Sequence, residues 1–439
     1  MRWWVCLVAG VLLSAGCGRA RHAPERGASS EVEVAVFKGG YGIDFFEKAA
    51  REYEAKHPGV KIKVWGNPRV WEQLRPRFVA GSPPDLCYPG WGLDHWSLVY
   101  DKQVIALDEY LDGPPEDGTG TWRETFEPSL LRLGQYEGKT YMLPYFYSIN
   151  GWWYDRFLFE KHGWTPPRTW SELLGVCAKI KAAGIAPITF QGKYPAYTVS
   201  GFLFPWAASI GGQKAVDDAQ SLVPGAWKSP AMLEAARRIK ELRDRGYFQA
   251  GANGMSHTEA QMEFVQGRAA MIPCGTWLHS EMRNQLPPSG FEMRFFLPPV
   301  IDGGKGDATA VCIGIEPWMV PAKGRMREHA IGYYRYLTSL PKAKEFVEQK
   351  GTLMAIKGSD NAKLPPHLVG AADAFRRAKT VWSVEYVQWY PKLGTATQNA
   401  MAALMNGEIT PEAFCQRCEE AAEQARNDAT LPKHRVQRD

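Results

Sequence analysis

The sequence has little of what catalysis at a metal or an activated nucleophile requires. Its nine histidines, spread over 439 residues, show no ligand spacing. HExxH, GxSxG and P-loop patterns are absent, so zinc hydrolysis, serine-hydrolase chemistry and phosphate cradling find no motif. KGGYG (38–42) is part of a GxGxxG without its third glycine. No cofactor and no metal are expected. After the first residues no run approaches about 18 consecutive apolar residues, which excludes a further membrane-spanning helix. No basic block stands out. The 52 Lys+Arg and 47 Asp+Glu leave a formal charge of +5, near balance for this length, which argues against a nucleic-acid partner. Eight cysteines are present without the spacing of a disulfide framework. Cys87, Cys177, Cys274 and Cys312 sit in apolar surroundings and read as buried thiols. Cys415 and Cys418 form a CxxC in a helical pattern with no second ligand pair for zinc, leaving a local disulfide or plain helix packing.

What is present begins with the leader, MRWWVCLVAGVLLSAGC. Arg2 precedes an apolar run too short to span a bilayer, so 1–16 reads as a signal peptide. SAGC at 14–17 resembles a lipobox that would make Cys17 the lipidated first residue. Ser14 departs from the usual leucine there, and an ordinary secretory signal is the rival reading. Ala15 and Gly16 at the end of the apolar run favour the lipoprotein. A lipid anchor would hold the chain on a membrane without a transmembrane helix. The segment 17–30, small, polar and charged, reads as a flexible tether, with the folded part starting near Glu31.

The remaining roughly 400 residues are too many for one simple core. VEVAVF (32–37) alternates and is β-branched, so it is a strand; a helix follows to about His57, with Asp44 and Glu47 resembling a capping box. VKIKVW (60–65) is a strand, 69–80 a helix and PDLCY (84–88) a strand. This order predicts an open, mostly parallel α/β sheet. Ligands bind outside the carboxyl ends of such strands, here 38–41, 65–67 and 88–94. TWSE (169–172) and SHTE (256–259) are capping boxes that open later helices, and APITF (186–190), RAAMIP (268–273) and PWMVPA (317–322) are strands. The last hundred or so residues are mainly helical. Two α/β regions are therefore expected, with the aromatic stretch GKTYMLPYFYSINGWWYD (138–155) at their junction. If that stretch is extended, Tyr145 and Tyr147 share one side and Phe146 takes the other.

An ordered set of segments resembles the extracellular solute-binding proteins of carbohydrate ABC transporters, the maltose-binding-protein-like group. The segments are the strand-helix-strand opening, GSPPDL (81–86), 138–155, TPPRTWSEL (165–173), FVQGRAAMIPCGTW (264–277) and EHAIGYYRYLTS (328–339). The match covers essentially the whole chain after the leader. Within the group, 165–197, 224–231, 256–278 and 316–323 look like the N-acetylglucosamine and diacetylchitobiose-binding lipoproteins. The resemblance implies a type II two-lobe fold, each lobe a mostly parallel sheet flanked by helices, with a helical C-terminal tail. Lobe 1 would be 31–147 plus 270–315 and lobe 2 would be 148–269 plus 316–439, crossing near 147–151 and 313–317. It implies a monomer that is exported, traps a sugar between its lobes and presents it to a membrane permease.

Sugars offer flat C–H patches to aromatic rings and hydroxyls to carboxylates and amides. The family places a stacking aromatic at Trp277, after a strand and Gly-Thr. Trp91 stands at a strand's carboxyl end, and Tyr41 ends the turn after the first strand. Trp389, with Tyr390, matches tail aromatics of the family, and Trp382 is a further candidate. Tyr194 and Tyr197 lie in a loop, QGKYPAY, where one is expected to face the cleft. Tyr145 and Tyr147 are assigned to the cleft; Phe146, Trp152, Trp153 and Tyr154 to the core. Asp94 and Glu316 are the expected hydroxyl acceptors, while Glu259 is explained by its capping role. An exported carbohydrate-active enzyme would need two positioned carboxylates, and no readable motif supplies them. A binder of a different solute class and a sugar sensor feeding a receptor also compete with transport. The 17 tryptophans, two of them in the leader, favour sugar over a cation or iron ligand.

Overall fold

A computed structural model describes residues 30–90 and 92–436. The leader, the expected lipidation at Cys17 and the candidate Trp91 lie outside the described residues. Twelve strands are β1 (Ser30–Phe37), β2 (Val60–Asn67), β3 (Leu86–Tyr88), β4 (Gln135–Tyr136), β5 (Lys139–Thr140), β6 (Leu143–Asp155), β7 (Ala186–Ile188), β8 (Ala269–Gly275), β9 (Met293–Phe296), β10 (Val311–Trp318), β11 (Leu353–Met354) and β12 (Val381–Ser383).

The first lobe is built on a parallel sheet of order β2-β1-β3. Val34, Ala35 and Val36 of the central strand are all buried, as a strand covered on both faces must be. The helix Asp44–Lys56 lays Phe45, Phe46, Ala49 and Tyr53 on this sheet. Its start differs from the expected capping box: the N-cap is Ile43 and makes no side-chain cap bond. Asp44 is instead the first helical residue and pairs with Lys350 at 2.7 Å.

The second sheet has the order β12-β10-β6-β8-β7, with β9 and β11 also pairing with β6. Strand β6 joins the lobes. Its first half pairs antiparallel with β10, and its second half with β8 and β9. Period-two alternation divides its two indoles. Trp152 packs among Phe202 and Trp206 of one core, whereas Trp153 meets Phe295 in the other. Each indole nitrogen donates to a buried carbonyl at 3.0 Å, Trp152 to Gly201 and Trp153 to Cys274.

Packing shifts the expected lobe boundaries in two places. β8 lies beside β7, with Ala269 opposite Ala186, so it belongs to the second lobe. The helices Arg327–Leu337 and Leu340–Lys350 belong to the first: Tyr333 donates to the Phe46 carbonyl at 2.6 Å and Phe346 sits 4.9 Å from Phe45. The reason is that β10 returns alongside β6, and Met319 bridges Cys87 of β3, which delivers the chain back to the first sheet. Cys415 and Cys418 are free and buried on the helix Pro411–Asn427, so helix packing rather than a disulfide accounts for the CxxC. Among the described residues no helix is long and apolar enough to cross a membrane, and no group of three or more His, Cys, Asp or Glu could hold a metal ion.

Candidate functional site

Four elements converge where the lobes meet. The turn after β1 carries Tyr41, whose ring packs edge-on against Phe146 at 5.0 Å. Its hydroxyl is buried beside the Thr352 and Ser280 hydroxyls, and burial foremost pushes its ionisation up, against those two neighbours. The bulge in β10 carries Glu316, at the register shift between Ile315 and Pro317. Tyr88, the last residue of β3, donates its hydroxyl to Glu316 Oε2 at 2.5 Å. Burial pushes the Glu316 carboxyl up to about 7, with the Tyr88 bond acting against the shift.

From the second lobe, β8 ends at Gly275 and Trp277 follows. An added Cβ at Gly275 would lie 2.0 Å from the Trp277 indole, so the ring rests directly on the glycine. Tyr197 stands edge-on to Trp277 at 6.3 Å and 5.3 Å from the His257 ring. His257 Nε2 pairs with Glu281 Oε2 at 2.5 Å, and Gln261 Nε2 donates to the same oxygen at 2.7 Å. The turn after β1 reaches this group, since a Cβ at Gly40 would lie 3.2 Å from Glu281 Cγ. The negative charges of Glu316 and Glu281 both act on Tyr41.

The arrangement is a partly exposed indole and a phenol beside a half-buried carboxylate and a buried hydroxyl. It can stack on a flat apolar patch and satisfy hydroxyl groups around it. His257, Gln261, Glu281 and Tyr88 are not among the residues expected from sequence. A signal existed for three of them. His257 and Gln261 recur at helical spacing behind the SHTE cap, and Glu281 follows Trp277 by one helical turn.

The remaining expected residues are placed elsewhere. Tyr145 is 0% exposed and lies among Phe46, Trp318 and Phe346, in the first lobe's core rather than the cleft. The cause is that β6 is covered on both faces, so alternation sorts its rings between two cores and not between core and cleft. Tyr147, 4% exposed, packs on Phe375 at 4.8 Å. It lines a recess of about 370 Å³ with Arg132, Asp360 and Arg376, which shares no lining residue with the Trp277 group. Trp382 is buried in the second lobe's core near Phe204. Tyr194 is 45% exposed and outward of Tyr197. Asp94 is the N-cap of the helix His95–Tyr100, accepting from Ser97 N at 3.1 Å and Ser97 Oγ at 2.6 Å, so capping accounts for its carboxylate. Trp389 stacks on His434 at 4.7 Å.

A two-lobe α/β fold with an aromatic and carboxylate-lined junction is the architecture of a binding protein. A family model for bacterial extracellular solute-binding proteins matches residues 39–344, and the chain belongs to that family. Among curated relatives, the diacetylchitobiose binding protein NgcE of Streptomyces coelicolor is 26% identical, across 93% of this chain and 88% of the relative. A multiple sugar-binding protein of Streptococcus mutans is 22% identical, across 88% of this chain and 90% of the relative. Among solved structures, a chitin oligosaccharide binding protein superposes with a TM-score of 0.72 at 23% identity, over 88% of this chain and 95% of the other. The solute-binding protein RafE in complex with raffinose gives 0.70 at 21% identity, over 90% and 99%.

Proposed function

We propose that this chain is the substrate-binding lipoprotein of a carbohydrate ABC importer, anchored through Cys17 and handing its sugar to a membrane permease. The observation that carries the reading is the grouping of Trp277 and Tyr197 beside Glu281, whose charge acts on both Tyr197 and Tyr41, with Glu316 acting on Tyr41 as well. Stacking surface, acceptor and donor are the groups that a sugar ring uses together. The ligand class is a mono- or oligosaccharide, with N-acetylglucosamine or diacetylchitobiose first in line. The named ligand of the Streptomyces coelicolor relative supports that order. The ligand-contacting set we propose is Trp277, Tyr197, Glu316, Tyr41 and Glu281, with Trp91 and Trp389 as further candidates. Of the two acids, Glu281 is held by His257 and Gln261 and Glu316 by Tyr88, as fits binding rather than turnover.

The test is a thermal-shift and calorimetric screen of the chain from Glu31 onward against N-acetylglucosamine, diacetylchitobiose, maltose and raffinose. A stabilising shift with intact sugar recovered supports a binder. Recovery of cleaved sugar makes the chain an enzyme, and no shift with any of the sugars defeats the sugar reading.

A further inference from the structure

The C-terminal segment does something the fold does not require. Its backbone is fastened to the second lobe: His434 N donates to the Tyr390 hydroxyl at 2.7 Å and Val436 N to Ser221 Oγ at 3.0 Å. Tyr390 in turn belongs to the core that contains Phe204 and Trp227. Yet the His434 side chain is gripped by the first lobe. Its ring lies 5.7 Å from Trp96, 5.6 Å from Tyr100 and 5.3 Å from Tyr136, and its Nε2 bonds the Tyr100 hydroxyl. Trp96 packs with Val70, Leu74 and Cys87 beneath the first sheet, with Tyr100 and Tyr136 against the same cluster. The imidazole completes the box by lying parallel to Trp389 at 4.7 Å and 7°. It is buried, and burial pushes its pKa down to about 4, so the ring in the box is a neutral aromatic.

Two features join this box to the junction. The helix His95–Tyr100 that supplies Trp96 and Tyr100 starts just after the loop leaving Tyr88, the residue bonded to Glu316. The face of Trp389 under the imidazole is also a flat aromatic surface of the kind a sugar ring occupies. We propose that the segment 431–436 is an interlobe strap: it ties the lobes together and covers the face of Trp389 with the chain's own imidazole. Trp389 itself packs against both the second lobe's core and the first lobe's Trp96 cluster, so opening the lobes must separate the first lobe's three rings from His434 and Trp389 together. A saccharide long enough to reach Trp389 must displace it. The cap on ligand length rests on the sugar-binding reading; the tie between lobes does not.

The test uses the full chain with His434→Ala, and Tyr136→Ala as a variant that breaks the same box from the other lobe. Ligand-free small-angle scattering and amide exchange are measured first. Both variants are expected to show a larger radius of gyration and roughly tenfold faster exchange over 95–100 and 386–389, with unchanged far-UV circular dichroism. Titration with N-acetylglucosamine oligomers of increasing length follows. His434→Ala is expected to gain roughly fivefold or more in affinity for the longest relative to the dimer. Wild-type scattering and exchange in both variants overturns the strap, and an unchanged length preference in a variant that does bind overturns the cap. A wild-type chain that binds none of the oligomers defeats the sugar reading instead, and the ligand-free comparison still decides the strap.

Discussion

At the residue scale the site rests on one indole and one half-buried acid. Trp277 is partly exposed, stands on Gly275 and packs against the neighbouring core. Trp277→Ala is expected to lower sugar affinity by roughly thirtyfold, about 2 kcal/mol, with the fold retained. Isothermal titration checks this, and wild-type affinity would remove Trp277 from the site. Gly275→Ala should weaken binding in the same direction, because its Cβ would lie 2.0 Å from the indole and force the ring away. Glu316 adds a pH dependence. Its folded pKa is raised from the ordinary 4.5 to about 7, so between these values the folded state holds a proton the unfolded chain has released. Stability from this group is therefore full below about 4.5 and is lost as pH rises through about 7. Buried histidines such as His434 act in the opposite sense, so the comparison must be with Glu316→Gln. The stability of wild type minus that of the variant should fall across this range; a pH-independent difference would show that the carboxyl is not perturbed.

At the scale of elements, what matters is how each one ends. β8 stops at Gly275 and releases Trp277, and the bulge in β10 holds Glu316. The helix His257–Val265 opens with Ser256 accepting from Glu259 N at 3.4 Å and Glu259 accepting from Ser256 N at 2.6 Å. Both bonds were legible in the SHTE pattern. TWSE was nearly so: Thr169 accepts from Glu172 N, but Glu172 reaches one residue further back, to Arg168 N at 2.7 Å. Ser256→Ala is expected to cost about 1 kcal/mol in urea unfolding. Because this helix presents His257 and Gln261 to Glu281, the variant should also bind sugar more weakly. A loss of stability with wild-type affinity would detach the helix from the site. The aromatic stretch in β6 was the least legible element. Alternation correctly separates Trp152 from Trp153, but it cannot tell a cleft from a second core, and Tyr145 lies in a core.

At the scale of the whole molecule, function is a matter of how two lobes are held. A ligand that binds the closed form stabilises it by mass action, about 2.7 kcal/mol at a hundredfold excess over Kd. A sugar that binds without raising the unfolding midpoint accordingly would argue against capture between the lobes. Local sequence was enough for the α/β order and for the SHTE cap. These follow from periodicity and turn chemistry, which act over a few residues. It also carried enough ordered segments to place the chain in its family. The long-range meetings emerged only with the folded chain. Lys350 reaches Asp44 from a helix assigned by sequence to the other lobe. Glu281, His257 and Tyr41 come together from three separate segments. Asp94 turns from the cleft to cap its own helix, and His434 travels from the C-terminal segment into a box lined by both lobes. None of these has a local signature, because the free energy that selects them comes from burial and pairing between residues far apart in the chain.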